Sequence, residues 1–448
     1  LAKTLQIACG STSVNLLTEF ILARGGFSYR TSEDLVWTVF EVVSDQADAT
    51  FRSKMETLDK LKVLAVNFIA DSNESEPCYL NWAAEGETVR RTVVHDIWTE
   101  TLAGDVITPM LGRDVAVVRI AVLHSPIFEE TASVNPTQTG ISTTGGTWSI
   151  GNDGGSYPQR ISVLKLDSAS VGDLSKFWIG IRKLRYGTAG FISTWQAEDG
   201  TNILDAADTA DGGASGGSKV TISFATSAAM AKRFALRWDQ VQTSPTVKDD
   251  IIGTYLMLAR CKLSAGTVEV AIDMRHGWAG FSGAETSIGV TYLSAVTDSN
   301  LTNWNLIPLG VVQIPPTGNR DSRASLNDEI GNYHLVLYAE RLSASGSLDV
   351  DCFLMIPAEH LAVIDGAQVG STGGPLTIYS SQDEVQYALG RTAASGNFGN
   401  VEYEFDNFVY PIGGGLLVLA AQGASEHLLS RTCDLDLTLK KRWLSYRS

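Results

Sequence analysis

The strongest catalytic spelling in the chain is Gly213-Ala214-Ser215-Gly216-Gly217, which fits G-x-S-x-G. In hydrolases that spelling sets a serine hydroxyl on a sharp turn between a buried strand and a helix, within reach of a base. Here the stretch DAADTADG precedes it and a β-branched run at Val220 follows it. Those flanks predict a mobile loop tip, not a nucleophile. The same loop nearly writes a phosphate-binding loop from Gly212 to Lys219, but Ser218 stands where the lysine must follow Gly217. The six histidines, His95, His124, His276, His334, His360 and His427, form neither H-x-x-x-H nor H-E-x-x-H. His95 and Asp96 are neighbours on a predicted strand and so point to opposite faces. The pairs Glu359-His360 and Glu426-His427 are read as coincidence.

Asp205, Asp208 and Asp211, and further on Asp434 and Asp436, are oxygen ligands of the kind calcium takes. They lack EF-hand spacing and are read as solvated loop carboxylates. Cys9, Cys78, Cys261, Cys352 and Cys433 are scattered without a C-x-x-C pair. They read as buried free thiols rather than a zinc site or a disulfide framework. No catalytic residue, metal ligand or cofactor-binding residue is therefore expected. Among the aromatics, Trp195, Trp278 and Trp304 are candidate platforms for stacking on sugar rings, with filling of a β core as the alternative use of the same side chains.

These residues sit in a chain of 448 with 44% apolar and 19% charged side chains, the balance of a folded protein of more than one domain. The formal charge of −16 argues against gripping nucleic acid or an anionic membrane. Residues 1–130 carry 19 acidic and 11 basic groups, so about half of the net charge lies in under a third of the length. No basic start leads into an apolar run, which predicts no signal peptide and synthesis in the cytoplasm, with an initiator Met expected before Leu1.

Strand patterns dominate. Residues 35–43 (LVWTVFEVV) and 115–123 (VAVVRIAVL) are β-branched runs, and 78–82 and 90–98 read as further strands. One helix is predicted over about 47–70, with Phe51, Met55, Leu58, Ala65 and Ile69 on one stripe and Leu61 and Phe68 flanking it. The order in the first 130 residues is thus β, β, helix, β, β, β. Residues 131–160 are rich in Gly, Ser, Thr, Asn and Pro and predict a boundary or linker. From 161 to 365 the chain alternates with period two, as at Val268, Val270 and Ile272 or at Leu348, Val350, Cys352, Leu354 and Ile356. That predicts a jelly-roll-like β-sandwich. Residues 263–270 (LSAGTVEV) echo 342–350 (LSASGSLDV), which predicts two similar hairpins. Residues 366–448 either complete the sandwich or return to the first domain. The basic run Lys440-Lys441-Arg442, with Trp443 beside it, suits a subunit contact.

The β-β-helix-β order of residues 1–130 resembles the ring-forming domain of tail-tube and distal-tail proteins of long-tailed bacteriophages. The stretches LIPLGVVQIPP (306–316), SGSLDVDCFLMIPAEH (345–360) and RWLSYR (442–447) resemble tail proteins with an appended jelly roll. The resemblance implies a mainly β virion protein without enzymatic activity, assembled in the host cytoplasm. The N-terminal tail-tube-like β-barrel or sandwich would form homo-oligomeric rings, hexamers or trimers, around a channel that DNA passes without specific binding. It also implies other tail proteins as partners and, through the jelly roll, a host-surface glycan. A carbohydrate-binding module or adhesin is the alternative expectation, and a β-sandwich polysaccharide hydrolase ranks last.

Overall fold

The computed structural model describes residues 4–30, 35–45, 49–70, 76–84, 87–101, 115–151, 157–168, 173–183, 191–224, 229–237, 253–276, 286–287, 292–297, 302–314, 333–343, 346–370, 375–380, 387–391, 402–406, 409–411 and 414–443. It is mainly β, with sheets packed as sandwiches, no closed barrel, and a single α-helix among the described residues. No helix among them is long and apolar enough to cross a membrane. The chain divides into two units: 1–134, 154–159 and 440–448 in one, 135–153 and 160–439 in the other.

In the N-terminal unit the helix Ala49–Ala70 interrupts an antiparallel sheet. Four strands precede it, Thr4–Cys9, Thr12–Asn15, Ile21–Arg30 and Val36–Asp45. The strands Tyr79–Ala83, Arg90–Thr101, Val115–His124 and Phe128–Glu130 follow it. Arg90–Thr101 is the organising strand. Its first residues pair with Tyr79–Ala83 and Phe128–Glu130, and the rest pairs with Val115–His124 after a bulge at His95. The helix buries Leu58, Leu61 and Ala65 in one cluster with Ile7, Val14, Leu80, Val94 and Ile97, and Phe68 is also buried. Ile69 lies at the edge of this stripe and is 48% exposed. The core stripe runs through Leu61 and Phe68 because the 3.6-residue period carries residue 69 about 100° past residue 68.

The basic run at the end stays within this unit. Arg442 pairs with Glu129 at 3.2 Å, and Trp443 is buried under the Arg90 guanidinium, 4.0 Å from its ring centre. Within the chain, the cationic and aromatic groups of Arg442 and Trp443 thus have partners.

The second unit is a stack of four sheets. Residues 131–160, rich in turn formers, carry the strands Thr137–Ser142 and Thr144–Ile150 and the start of Tyr157–Asp167. The outermost layer holds Thr137–Ser142, the last strand Thr432–Trp443, Tyr157–Asp167 and Leu376–Ser380. The next sheet runs Thr144–Ile150, Gly415–Gln422, Lys176–Arg182, His360–Asp365 and Glu402–Asp406. It is buried on both faces. Leu417, Leu419 and Ala421 pack outward, while Leu416, Val418 and Ala420 pack inward. This double burial explains why residues 415–421 are apolar at every position rather than alternately. At Gly180 the backbone of Pro357 comes so close that no Cβ fits.

The third sheet is ordered Ala206–Ala210, Ser218–Ile222, Leu348–Pro357, Gly253–Leu263, Asn305–Ile314. The fourth is ordered Thr201–Asn202, Ala231–Arg237, Tyr333–Arg341, Thr267–His276. The two echoing segments are not hairpins. Gly253–Leu263 pairs with Leu348–Pro357, and Thr267–His276 pairs with Tyr333–Arg341. Each turn therefore crosses from one sheet to the other as an arch, and the two arches lie against each other. Ser264 N–H donates to Ser347 O at 3.0 Å, and Leu342 N–H donates to Thr267 O at 2.8 Å. Gly346 allows the Ala265 carbonyl to approach where a side chain would clash. The sequences are alike because both segments occupy the same crossing.

Candidate functional site

The loop 211–217, which carries the G-x-S-x-G spelling, joins the strands Ala206–Ala210 and Ser218–Ile222. A strand, not a helix, follows the serine, so no nucleophile elbow exists here. The tip is bonded down. Ser215 N–H donates to Asp351 Oδ1 at 2.8 Å, and Ser215 Oγ lies 2.9 Å from that oxygen and 2.6 Å from Gln196 Oε1. Gly213 O accepts from Arg260 at 2.9 Å.

Asp351 reaches this place because of a bulge. Leu348–Pro357 and Gly253–Leu263 pair in register until Cys261 faces Val350 while Arg260 faces Cys352, which leaves Asp351 as the extra residue. A bulge reverses the in–out alternation and aims a side chain sideways. Accordingly Phe353 packs on Phe234 of the fourth sheet, and Leu354 faces Gly145 of the second. This corrects the single row expected through Val350, Cys352 and Leu354.

Arg260 and Asp351 form an ion pair at 2.5 Å, with side chains 2% and 0% exposed. Arg260 Nε donates to His427 Nδ1 at 2.8 Å, and a second guanidinium nitrogen donates to His427 O at 3.1 Å. Since a guanidinium only donates, His427 Nδ1 is bare, and Nε2 carries the proton toward Thr144 Oγ1 and Thr143 O. Burial, together with the neighbouring Arg260 charge, pushes His427 down to about 3. The half-buried Trp304 lies over this cluster, its ring centre 4.6 Å from the Arg260 guanidinium and 4.5 Å from Lys262 Nζ.

A second charged group lies beside it. Asp211 takes Lys262 at 2.6 Å and Lys219 at 3.0 Å, and Lys219 also reaches Asp349 at 2.7 Å. The Lys262 and Gly213 hydrogen bonds hold the Asp211 carboxyl well below the usual carboxylate range. Glu198 keeps one carboxylate oxygen buried without a hydrogen-bond partner. Burial and the charges of Asp351, Asp199 and Asp208 push its pKa up.

The set of serine, aspartate, arginine and histidine does not make a nucleophilic relay. In a triad the acid orients the histidine and the histidine takes the serine proton. Here the acid contacts the serine directly, and the arginine stands between acid and histidine. A carboxylate neutralised by a guanidinium is a weak base, and His427 stays neutral and points elsewhere. The arrangement clamps the loop onto the sheet.

The carboxylates weighed as calcium ligands have protein partners. Asp205 pairs with the buried Arg233 at 3.1 Å, Asp208 accepts from Asn202, Asp434 accepts from Gly140 N–H, and Asp436 pairs with Lys165. No group of three metal-ligating side chains is found among the described residues. Of the aromatic candidates, Trp195 is 1% exposed in the core with its indole N–H on Ile192 O, so its ring faces are not open to a sugar. Trp278 lies outside the described residues. Trp304 keeps partial exposure but already covers two cations. In the N-terminal unit, His95 contacts Ser125 Oγ at 3.0 Å, and His124 bridges Thr38 and Ser125 O, with burial pushing it down to about 4.

A groove of about 580 Å³ lies on the sheet that holds Tyr157–Asp167, Leu376–Ser380 and Thr432–Trp443. Asn135, Thr137, Lys165, Thr377, Asp436 and Thr438 line it.

No family model matches the sequence, and no curated protein does. Among solved structures, a family 30 carbohydrate-binding module matches with 12% identity and a TM-score of 0.20, over 40% of this chain and 89% of that one. A xanthan lyase from Paenibacillus matches with 10% identity and a TM-score of 0.24, over 93% of this chain and 55% of that one. The Gt strain of infectious bursal disease virus matches with 11% identity and a TM-score of 0.17, over 84% of this chain and 86% of that one. At these scores the likenesses decide nothing about function.

Proposed function

We propose that this chain is a self-assembling structural protein, a virion component of the phage-tail kind, and not an enzyme. The observation that supports this is the outward face of the helix Ala49–Ala70. Val63, Val66 and Ile69 are 57%, 44% and 48% exposed at three-residue spacing. Val63 points away from the stripe buried in the core, Val66 lies to its side and Ile69 sits at its edge. β-Branched residues weaken a helix and gain nothing from water, so a solvated face favours Ala, Lys or Glu. Large apolar side chains left exposed on a helix gain by being covered. Trp98, 43% exposed on the strand Arg90–Thr101, adds an aromatic to the outer surface of the same unit. Ring closure between copies would cover such a face, with other tail proteins at the ring ends and DNA passing through unbound.

Light scattering and negative-stain microscopy of the purified chain test this. Closed assemblies in multiples of three or six are expected, and Val66→Lys disperses them while leaving the melting curve in place. A monomer at high concentration that joins no tail particle refutes it.

The groove over Thr137, Lys165, Thr377 and Asp436 favours a second reading, a glycan-binding face. Hydroxyls and one ion pair over an apolar floor suit an uncharged sugar chain. Binding on a glycan array that is lost on Asp436→Ala supports it, and an empty array removes it.

A further inference from the structure

Cys9 and Cys78 oppose each other in the N-terminal unit. The antiparallel register pairs Thr4 with Ala83 and continues through Ala8 with Tyr79. One further step sets Cys9 against Cys78. Opposed antiparallel residues stand about 4.5–5.5 Å apart at Cα, within the 4.4–6.8 Å that a disulfide spans. Both are buried free thiols. Cys9 Sγ donates to Glu76 O at 3.3 Å and Cys78 Sγ to the helical Leu61 O at 3.6 Å. The other cysteines have no such neighbour in register: Cys261 faces Val350, Cys352 faces Arg260, and Cys433 faces Ile141.

We propose that Cys9 and Cys78 are an oxidation site, a latent cross-strand disulfide that forms when the chain meets a small disulfide oxidant of the glutathione class. One cysteine thiolate attacks the oxidant's S–S bond, forming a mixed disulfide and releasing one small thiol. The second cysteine thiolate then attacks the protein sulfur of that mixed disulfide, forming the Cys9–Cys78 bond and releasing the second small thiol. Two electrons pass to the oxidant, and the two cysteine protons leave with its two thiols. Burial holds both sulfurs away from solvent, so exchange proceeds when this sheet edge opens or before it closes. The bond ties the first strand to the segment after the helix, across 78 − 9 = 69 residues.

The test uses the full reduced chain, oxidised glutathione, blocking with N-ethylmaleimide, and peptide mapping without reduction. The expected product is one cross-linked peptide pair holding Cys9 and Cys78, about 2 Da below the sum of the thiol peptides. Cys261, Cys352 and Cys433 carry maleimide after unfolding. The first melting transition rises by roughly 5 °C or more and falls back on reduction. Cys9→Ser removes both the cross-link and the rise, with Cys9→Ala used where the serine variant does not fold, whereas Cys433→Ser keeps both. Maleimide on both residues, stable glutathione adducts there without a cross-link, or a different cysteine pairing overturns the proposal.

Discussion

Replacing Asp351 with alanine should be among the most damaging single changes in the second unit. The carboxylate is fully buried and accepts from Ser215 N–H, from the Ser215 hydroxyl and from Arg260. Its removal leaves a guanidinium that is 2% exposed without a counter-charge. Breaking one side of a buried pair costs about 3–5 kcal/mol, because the surviving ion keeps its desolvation penalty. At about 2–4 °C per kcal/mol for a domain approaching this size, the transition of the second unit should fall by roughly 6–20 °C. Replacing both partners, Asp351→Leu with Arg260→Met, removes both charges and should cost less than either single change. Calorimetry separates the transitions of the two units, and guanidinium titration gives the free energies. A loss below about 1 kcal/mol for Asp351→Ala, or strict additivity in the double variant, would refute the clamp.

Acid should weaken both units before ordinary carboxylates titrate. His124 and His427 sit near 4 and 3 in the fold, below the value of about 6.5 for the unfolded chain. The unfolded state therefore binds more protons below pH 6.5, and stability present above that pH declines as pH falls toward those values. His427→Gln should flatten this decline for the second transition only, as seen in melting curves from pH 7 to 4. Glu198→Gln should raise the same transition slightly at pH 7, since it removes a carboxylate whose ionised form is disfavoured by burial and by its acidic neighbours; a drop would show that Glu198 makes a favourable contact as an anion. The Val66→Lys dispersal and the Cys9–Cys78 cross-link complete the set.

The strands and the helix were legible because their periods are local properties. The run at 115–123 lies within the strand Val115–His124, the run at 35–43 starts one residue before the strand Val36–Asp45, and the predicted helix differs from Ala49–Ala70 by two residues at its start. What could not be read was set by partners far along the chain. The Asp351 bulge is defined by the register with Gly253–Leu263, and no residue type announces it. The arches imitate hairpins because both need an apolar strand, small turn residues and a second strand. The Ser215 spelling was legible as letters, and so was the strand that follows it where a nucleophile elbow needs a helix. Its attachment to Asp351, Arg260 and, through Arg260, His427 joins residues 136 and 167 positions apart, and only the coordinates bring them together.

The order of synthesis gives the last strand a further importance. Thr432–Trp443 pairs with Thr137–Ser142, a strand made almost three hundred residues earlier. Until those residues leave the ribosome, this sheet lacks an inner strand, and Leu164, Leu166, Leu376 and Ile378 lack Leu435, Leu437 and Leu439 beside them in the shared core. Nascent chains should therefore stay protease-sensitive and aggregation-prone until Thr432–Trp443 has emerged. A stop codon just before Thr432 would then yield insoluble product rather than a soluble protein.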